Sequence, residues 1–160
     1  MKKTHAMRVL DSKGIAYRVT EYDSSGEFHT GEEAAALVRA PAELVYKTLV
    51  VLREASPAGK PMMVMVPVAI QLDLKLLAES LGDKRLRMAT QKEAEKLTGM
   101  QVGGISALAL QQPGFTVLID ERARPLERIH VSAGARGMDV ELAVGDLVSL
   151  TGARFVRVAR

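Results

Sequence analysis

Apolar and polar positions change rhythm several times along the chain, and each rhythm predicts an element. Thr4 can cap a short first helix that Gly14 ends. Ile15, Tyr17 and Val19 then alternate with Ala16, Arg18 and Thr20, the period of a half-buried strand. Thr30-Gly31-Glu32-Glu33 forms a capping box ahead of the apolar run 34–38, and Pro41 closes that helix. Tyr46 to Leu52 and Met62 to Val68 are apolar or β-branched on both faces, as buried strands are, and 55–61 between them reads as a hairpin loop. Asp73 caps a helix with Leu74, Leu77, Ala78 and Leu81 on one stripe, stopped by Gly82. A second capping box, Thr90 with Glu93, starts a helix that ends at Gly99. Phe115 to Ile119 and Arg128 to Val131 read as strands. A Gly-containing turn, 132–137, leads into a strand Met138 to Val144, a helix opening at Gly145-Asp146, and a last strand Phe155 to Val158.

Strand-like and helix-like segments thus alternate from end to end. That predicts a mixed α+β (α/β) domain, one unit over residues 1–160, with no internal repeat or long linker dividing it. The 160 residues are 48% apolar and 26% charged, which argues against disorder. The formal charge of +3 permits a polyanionic partner without demanding one, and the basic excess falls in the second half. There is no cysteine, so disulfides, thiolate metal sites and a catalytic thiol of the protein are excluded. The most apolar run, Met62 to Ile70, contains Pro67 and is far shorter than the roughly 20 residues a membrane helix needs. No membrane association and a cytoplasmic setting are the expectation.

Familiar catalytic signatures are missing: no dinucleotide or phosphate loop and no nucleophile elbow. His5, His29 and His130 share no metal-ligand spacing, so neither a metal nor a cofactor is expected. His130 shares a strand face with Arg128 and Ser132 and reads as a hydrogen-bonded edge residue. Lys47 is more informative. It lies with Leu49 and Val51 on one strand face, where an ammonium must pair, reach an opening or lose its charge. It either reaches solvent from the strand end or stands as a cation at a pocket mouth, holding a phosphate or a developing oxyanion. Gly103-Gly104-Ile105-Ser106 breaks an apolar segment, as a bulge or as a place where a ligand meets bare main chain. Asp139 opens an apolar strand, where a carboxylate can position Ser132 or a substrate amine.

Four segments in order resemble one family. Val45-Tyr46-Lys47-Thr48-Leu49-Val50-Val51, Pro67 through Lys75, Thr98-Gly99 with Val102 through Ser106, and Val131-Ser132 through Gly137-Met138-Asp139-Val140-Glu141-Leu142 are similar to the YbaK/EbsC family. Tyr22-Asp23 and Gly31-Glu32-Glu33-Ala34-Ala35 fit as well. These proteins are free-standing relatives of the editing insertion domain of bacterial prolyl-tRNA synthetase. The resemblance implies a mixed, barrel-like sheet flanked by short helices, and trans-editing of mischarged tRNA, with Cys-tRNA(Pro) the foremost substrate. By position it implies Lys47 as the essential cation. Tyr22, Thr30, Thr48, Gly103, Gly104, Ile105, Ser106, Ser132 and Asp139 would bind substrate. The ester would be cleaved by the substrate's own thiol. The aminoacylated end of tRNA is the implied partner, prolyl-tRNA synthetase a possible second, and the chain a monomer or weak homodimer. The chain departs from the family at Ala107, where Pro is usual, at Leu108 to Gln112, which replace a basic stretch, and at Ala133 and Ala135. Another misacylated tRNA bearing a small amino acid, or a non-catalytic module for tRNA ends or nucleotides, are the alternative readings.

Overall fold

A computed structural model describes residues 2–23, 31–54, 60–109 and 114–159. Helix α1 (His5–Ser12) begins where the Thr4 hydroxyl accepts the Met7 N–H at 3.3 Å, and it buries Ala6, Met7 and Leu10. Strand β1 (Tyr17–Glu21) precedes α2 (Gly31–Val38). The capping box foreseen at Thr30 lies outside the described residues. Helix α2 ends with Arg39 at φ 59, the left-handed position usually given to glycine, and Pro41 follows. Strands β2 (Tyr46–Arg53) and β3 (Met62–Pro67) pair antiparallel, as a hairpin requires, although 55–59 are not described. Helix α3 (Leu74–Leu81) is capped by Asp73, which accepts the Leu76 N–H at 3.0 Å, and Gly82 ends it at φ 71. Removing that cap in Asp73→Ala is expected to cost about 1 kcal/mol in denaturant unfolding, with the slope of the transition unchanged.

Strand β4 (Leu86–Met88) was not anticipated, since three residues are too few to set up an alternation. Helix α4 (Gln91–Thr98) starts with the expected reciprocal pair: Glu93 N–H to the Thr90 hydroxyl at 3.1 Å, and Thr90 N–H to the Glu93 carboxylate at 2.9 Å. Strand β5 (Thr116–Asp120) is followed by β6 (Arg128–Ala135) and β7 (Met138–Ala143). The turn expected over 132–137 is shorter than the glycines suggested. Strand β6 continues to Ala135 through an irregularity between Ser132 and Ala135. Helix α5 (Val144–Thr151) and β8 (Arg154–Val156) complete the fold, β8 stopping two residues earlier than the pattern suggested.

The strands form two sheets, β1-β7-β6 and β4-β2-β3-β5-β8, the second mixing antiparallel with parallel pairs. The expected mixed sheet is present, but it is not closed as a barrel. Among the described residues the sheets meet at one parallel bridge, Val45 to His130, and β2 pairs with β4 further along, at residues 51–53. Strand β3 lies between β2 and β5, and all six of its residues are buried. Its alternation feeds two cores. Met63 and Met65 join Tyr46, Ile119, Ile129, Val131, Val140 and Leu142, whereas Met62, Val64 and Val66 pack with Val51, Leu77, Leu118 and Val158. Each such side chain contributes roughly 1.5–3 kcal/mol on burial. Among the described residues no helix is long and apolar enough to cross a membrane.

Candidate functional site

The register of the three-stranded sheet sorts its side chains into two faces. Val19, Val140 and Val131 form one cross-strand row and Tyr17, Leu142 and Ile129 another, both turned to the core. The alternate rows, Thr20–Asp139–Ser132 and Arg18–Glu141–His130, line the opposite, polar face. The bridge between Val45 and His130 carries this face on to β2. Lys47 and Ser132 each lie two residues beyond that bridge, on the same side of their strands as Val45 and His130. The strand register pairs Ser132 with Asp139, and Lys47 stands on the neighbouring strand just past the junction. Thr48 follows the alternation to the other side of β2, with Tyr46 and Val50.

Lys47 is half-buried, and its ammonium has no ion-pair or hydrogen-bond partner among the described residues. Burial alone pushes its pKa below the usual lysine value. A desolvated, unpaired cation favours any anion that can reach it.

The glycine pair has a structural and an open member. Gly103 sits at φ 92 and is exposed, whereas Gly104 is buried. A Cβ on Gly104 would come within 2.7 Å of the Arg136 nitrogen and 2.8 Å of the Ala135 carbonyl carbon. The loop therefore docks main chain to main chain on the β6–β7 hairpin, in the space left by a missing side chain. Ile105 belongs to the core, and the buried Ser106 hydroxyl accepts the Leu108 N–H at 3.2 Å. Gly103 is the part of this segment that stays open.

Asp139, on the central strand of its sheet, is 7% exposed, and burial pushes its carboxyl up to about 6. Tyr22 reaches the same end of the sheet. Its N–H donates to the Gly137 carbonyl at 2.8 Å, and its phenol is raised first by burial and then by the Asp139 charge, against the Gly137 amide and Arg136. The Ser132 hydroxyl accepts the Gly134 N–H at 3.1 Å across the irregularity in β6. Thr30 lies outside the described residues. Between about pH 4 and 6 the folded chain keeps a proton on Asp139 that the unfolded chain has released. This contribution to stability is full below pH 4 and falls as pH rises through 6. Asp139→Asn is accordingly expected to melt roughly 2–4 °C above the wild type at pH 7 and close to it at pH 4. A variant less stable at pH 7 would mean that a favourable contact holds the carboxylate.

A cavity of about 800 Å³ opens beside these residues. Arg18, Thr20, Tyr22, His130 and Glu141 form its polar wall, and Leu37, Val38, Ala40, Pro41 and Leu44 its apolar one. Of the described residues expected to bind substrate or catalyse, only Tyr22 lines it; Lys47, Gly103 to Ser106, Ser132 and Asp139 do not, although Ser132 and Asp139 form the cross-strand row next to that of His130 and Glu141. Arg18 and Glu141 were missed, although the polar alternation around Val19 and Val140 put them on the face of Asp139. His130 is on the expected face, but it is buried, with Nε2 3.5 Å from a Glu141 carboxylate oxygen and Nδ1 without a hydrogen-bond partner among the described residues. Among the described residues no three His, Cys, Asp or Glu side chains are placed to hold a metal.

Residues 26–150 match the model of the aminoacyl-tRNA editing domain. The chain is 32% identical over 157 residues to an Enterococcus faecalis protein named as a candidate Cys-tRNA(Pro)/Cys-tRNA(Cys) deacylase, EbsC. That match covers 98% of this chain and 93% of the relative. The crystal structure of a candidate trans-editing enzyme for prolyl tRNA synthetase superposes with a TM-score of 0.80 at 25% identity, covering 100% of this chain and 99% of that one. The crystal structure of a hypothetical protein also gives 0.80, at 26% identity over 96% and 99%.

Proposed function

Because this chain belongs to the aminoacyl-tRNA editing domain family, we propose that it is a trans-editing deacylase that cleaves the ester of mischarged tRNA, Cys-tRNA(Pro) foremost. The observation that carries the assignment of residues is Lys47: a half-buried cation without a partner among the described residues, two residues past the bridge that joins the sheets. Its partner is the anion that the substrate brings, the developing oxyanion or a backbone phosphate near the acceptor end.

An aminoacyl ester is already activated, so a positioned nucleophile is enough. In this reading the substrate's thiol attacks its own carbonyl. A carbon–sulfur bond forms, the bond to the ribose oxygen breaks, and the thiol's proton ends on the departing ribose hydroxyl. The cyclic thioester then opens in water. A free thiol, with a pKa of about 8.5, is only a few per cent ionised at neutral pH. Holding it against the carbonyl compensates, since effective molarities reach about 10⁵ M or more. The Lys47 charge and the exposed main chain at Gly103 stabilise the oxyanion, worth about 10²–10³-fold for one such donor. Tyr22, Thr30, Ser132 and Asp139 shape the pocket; Thr48, Gly104, Ile105 and Ser106 contribute main chain and packing.

The wider reading is that residues 1–160 act as one editing unit in the cytoplasm on the aminoacylated end of tRNA. Prolyl-tRNA synthetase is a natural partner, and the chain works as a monomer or weak homodimer. The cavity of about 800 Å³ is generous for a cysteinyl group and favours a second reading, deacylation of a tRNA bearing another small amino acid. A panel of Cys-tRNA(Pro), Cys-tRNA(Cys) and Ala-tRNA(Pro) tests both. Faster loss of Cys-tRNA(Pro) than of the others supports the main assignment, and preferential loss of Ala-tRNA(Pro) moves it to the second. No loss above buffer for any ester removes the enzymatic reading.

A further inference from the structure

Glu141 is a carboxylate on the cavity wall with no lysine or arginine ion partner among the described residues; Glu21, Arg18 and Arg39 line the same cavity, also without an ion pair among them. Its carboxylate lies half-buried on β7, two residues beyond Asp139, and lines the cavity. Among the described residues the only basic group within 4 Å of it is the His130 imidazole, at 3.5 Å. Burial lowers the His130 pKa more than Glu141 raises it, so at neutral pH the ring is uncharged and cannot balance the carboxylate. Arg18 faces Glu141 in the strand register and Arg39 lines the far wall, but neither guanidinium comes within ion-pair distance of it. The sheet side of the cavity therefore presents the Glu141 carboxylate, in a lining that also carries Arg18, Arg39, Glu21 and Asp23.

Every aminoacyl ester carries a cation beside its reacting carbonyl, the α-amino group, which in peptides titrates at about 7.7–8.0 and is mostly protonated at pH 7. The two polar rows of the sheet are about 7 Å apart, the rise of two strand residues. A carbonyl directed to the Ser132–Asp139 row and Lys47 therefore leaves its amino group on the side of the Glu141 row. Asp139 is the less suited seat, being nearly sealed and absent from the cavity wall. We propose that Glu141 is the anionic seat for the α-ammonium of the aminoacyl group, which makes a free amine a specificity requirement of this site. The proposal rests on the deacylase reading and deepens it.

The test compares free and N-acetylated Cys-tRNA(Pro) and Ala-tRNA(Pro) on the wild type, Glu141→Gln and Glu141→Asp, with thermal unfolding as the check on folding. The wild type is expected to prefer the free amine in kcat/KM by about 10- to 100-fold, the range for a hydrogen bond to a charged group. Glu141→Gln should lose most of that preference and Glu141→Asp keep part of it. An equal rate on both esters in the wild type, or a Glu141→Gln variant with an undiminished ratio, overturns the proposal. A second arm needs no turnover: calorimetric binding of 3′-alanylamino-3′-deoxyadenosine and its N-acetyl form, whose amide resists cleavage. Binding that depends on both the free amine and Glu141 supports the seat. Absent or amine-indifferent binding by the wild type overturns it. A wild type that binds the free amine but cleaves no ester removes the deacylase reading and leaves the seat standing.

Discussion

Lys47→Ala is expected to slow ester loss from Cys-tRNA(Pro) by about 10²–10³-fold, the cost of removing one preorganised donor from a developing oxyanion. The variant should fold as well as the parent, because the side chain it removes is a desolvated cation with no partner among the described residues. Lys47→Arg keeps the charge but replaces a compact ammonium with a planar fork, so an intermediate rate is expected. Single-turnover assays with saturating protein separate a slower chemical step from weaker binding. If Lys47→Ala retains the full rate, the cation is not at the reacting group. If only affinity falls, Lys47 holds a phosphate.

Gly104→Val is expected to cost about 3 kcal/mol of stability, and activity with it. A side chain there meets the Arg136 nitrogen and Ala135 carbonyl carbon at distances real Cβ atoms do not adopt, and both are main chain. Neither can retreat without opening the hairpin that carries Ser132 and Asp139. Chemical denaturation reads the loss, and Gly103→Ala is the informative companion. Gly103, unlike Gly104, lies at positive φ and is exposed, so its substitution strains the turn. Equal stability of Gly104→Val and the parent would mean that the loop is not docked as described.

The two substitutions explain why the sequence carried the elements further than the site. Caps are local, so Thr4, Asp73 and the Thr90–Glu93 pair could be read from a few neighbouring residues and hold in the structure. The face of Lys47 followed from alternation along a single strand. Which strand supplies the other wall of a site depends on pairing, and no local pattern encodes the bridge from Val45 to His130. The barrel-like sheet implied by the family resemblance is instead two sheets meeting at that bridge. Strand β4 escaped notice because three residues carry no period. Glu141 and Arg18 were visible as polar positions, but their significance appears only when β1, β7 and β6 are laid side by side. Gly104 read as either a bulge or a ligand contact, and the structure gives it to packing.

The most direct measurement is the single-turnover loss of ester from tRNA(Pro) charged with cysteine and with S-methylcysteine, each with this protein and in buffer alone. The account predicts that the cysteinyl ester is lost far faster than in buffer while the S-methyl ester, which has no thiol to attack with, decays at the buffer rate. Equal acceleration of both esters, or acceleration of neither, would contradict it.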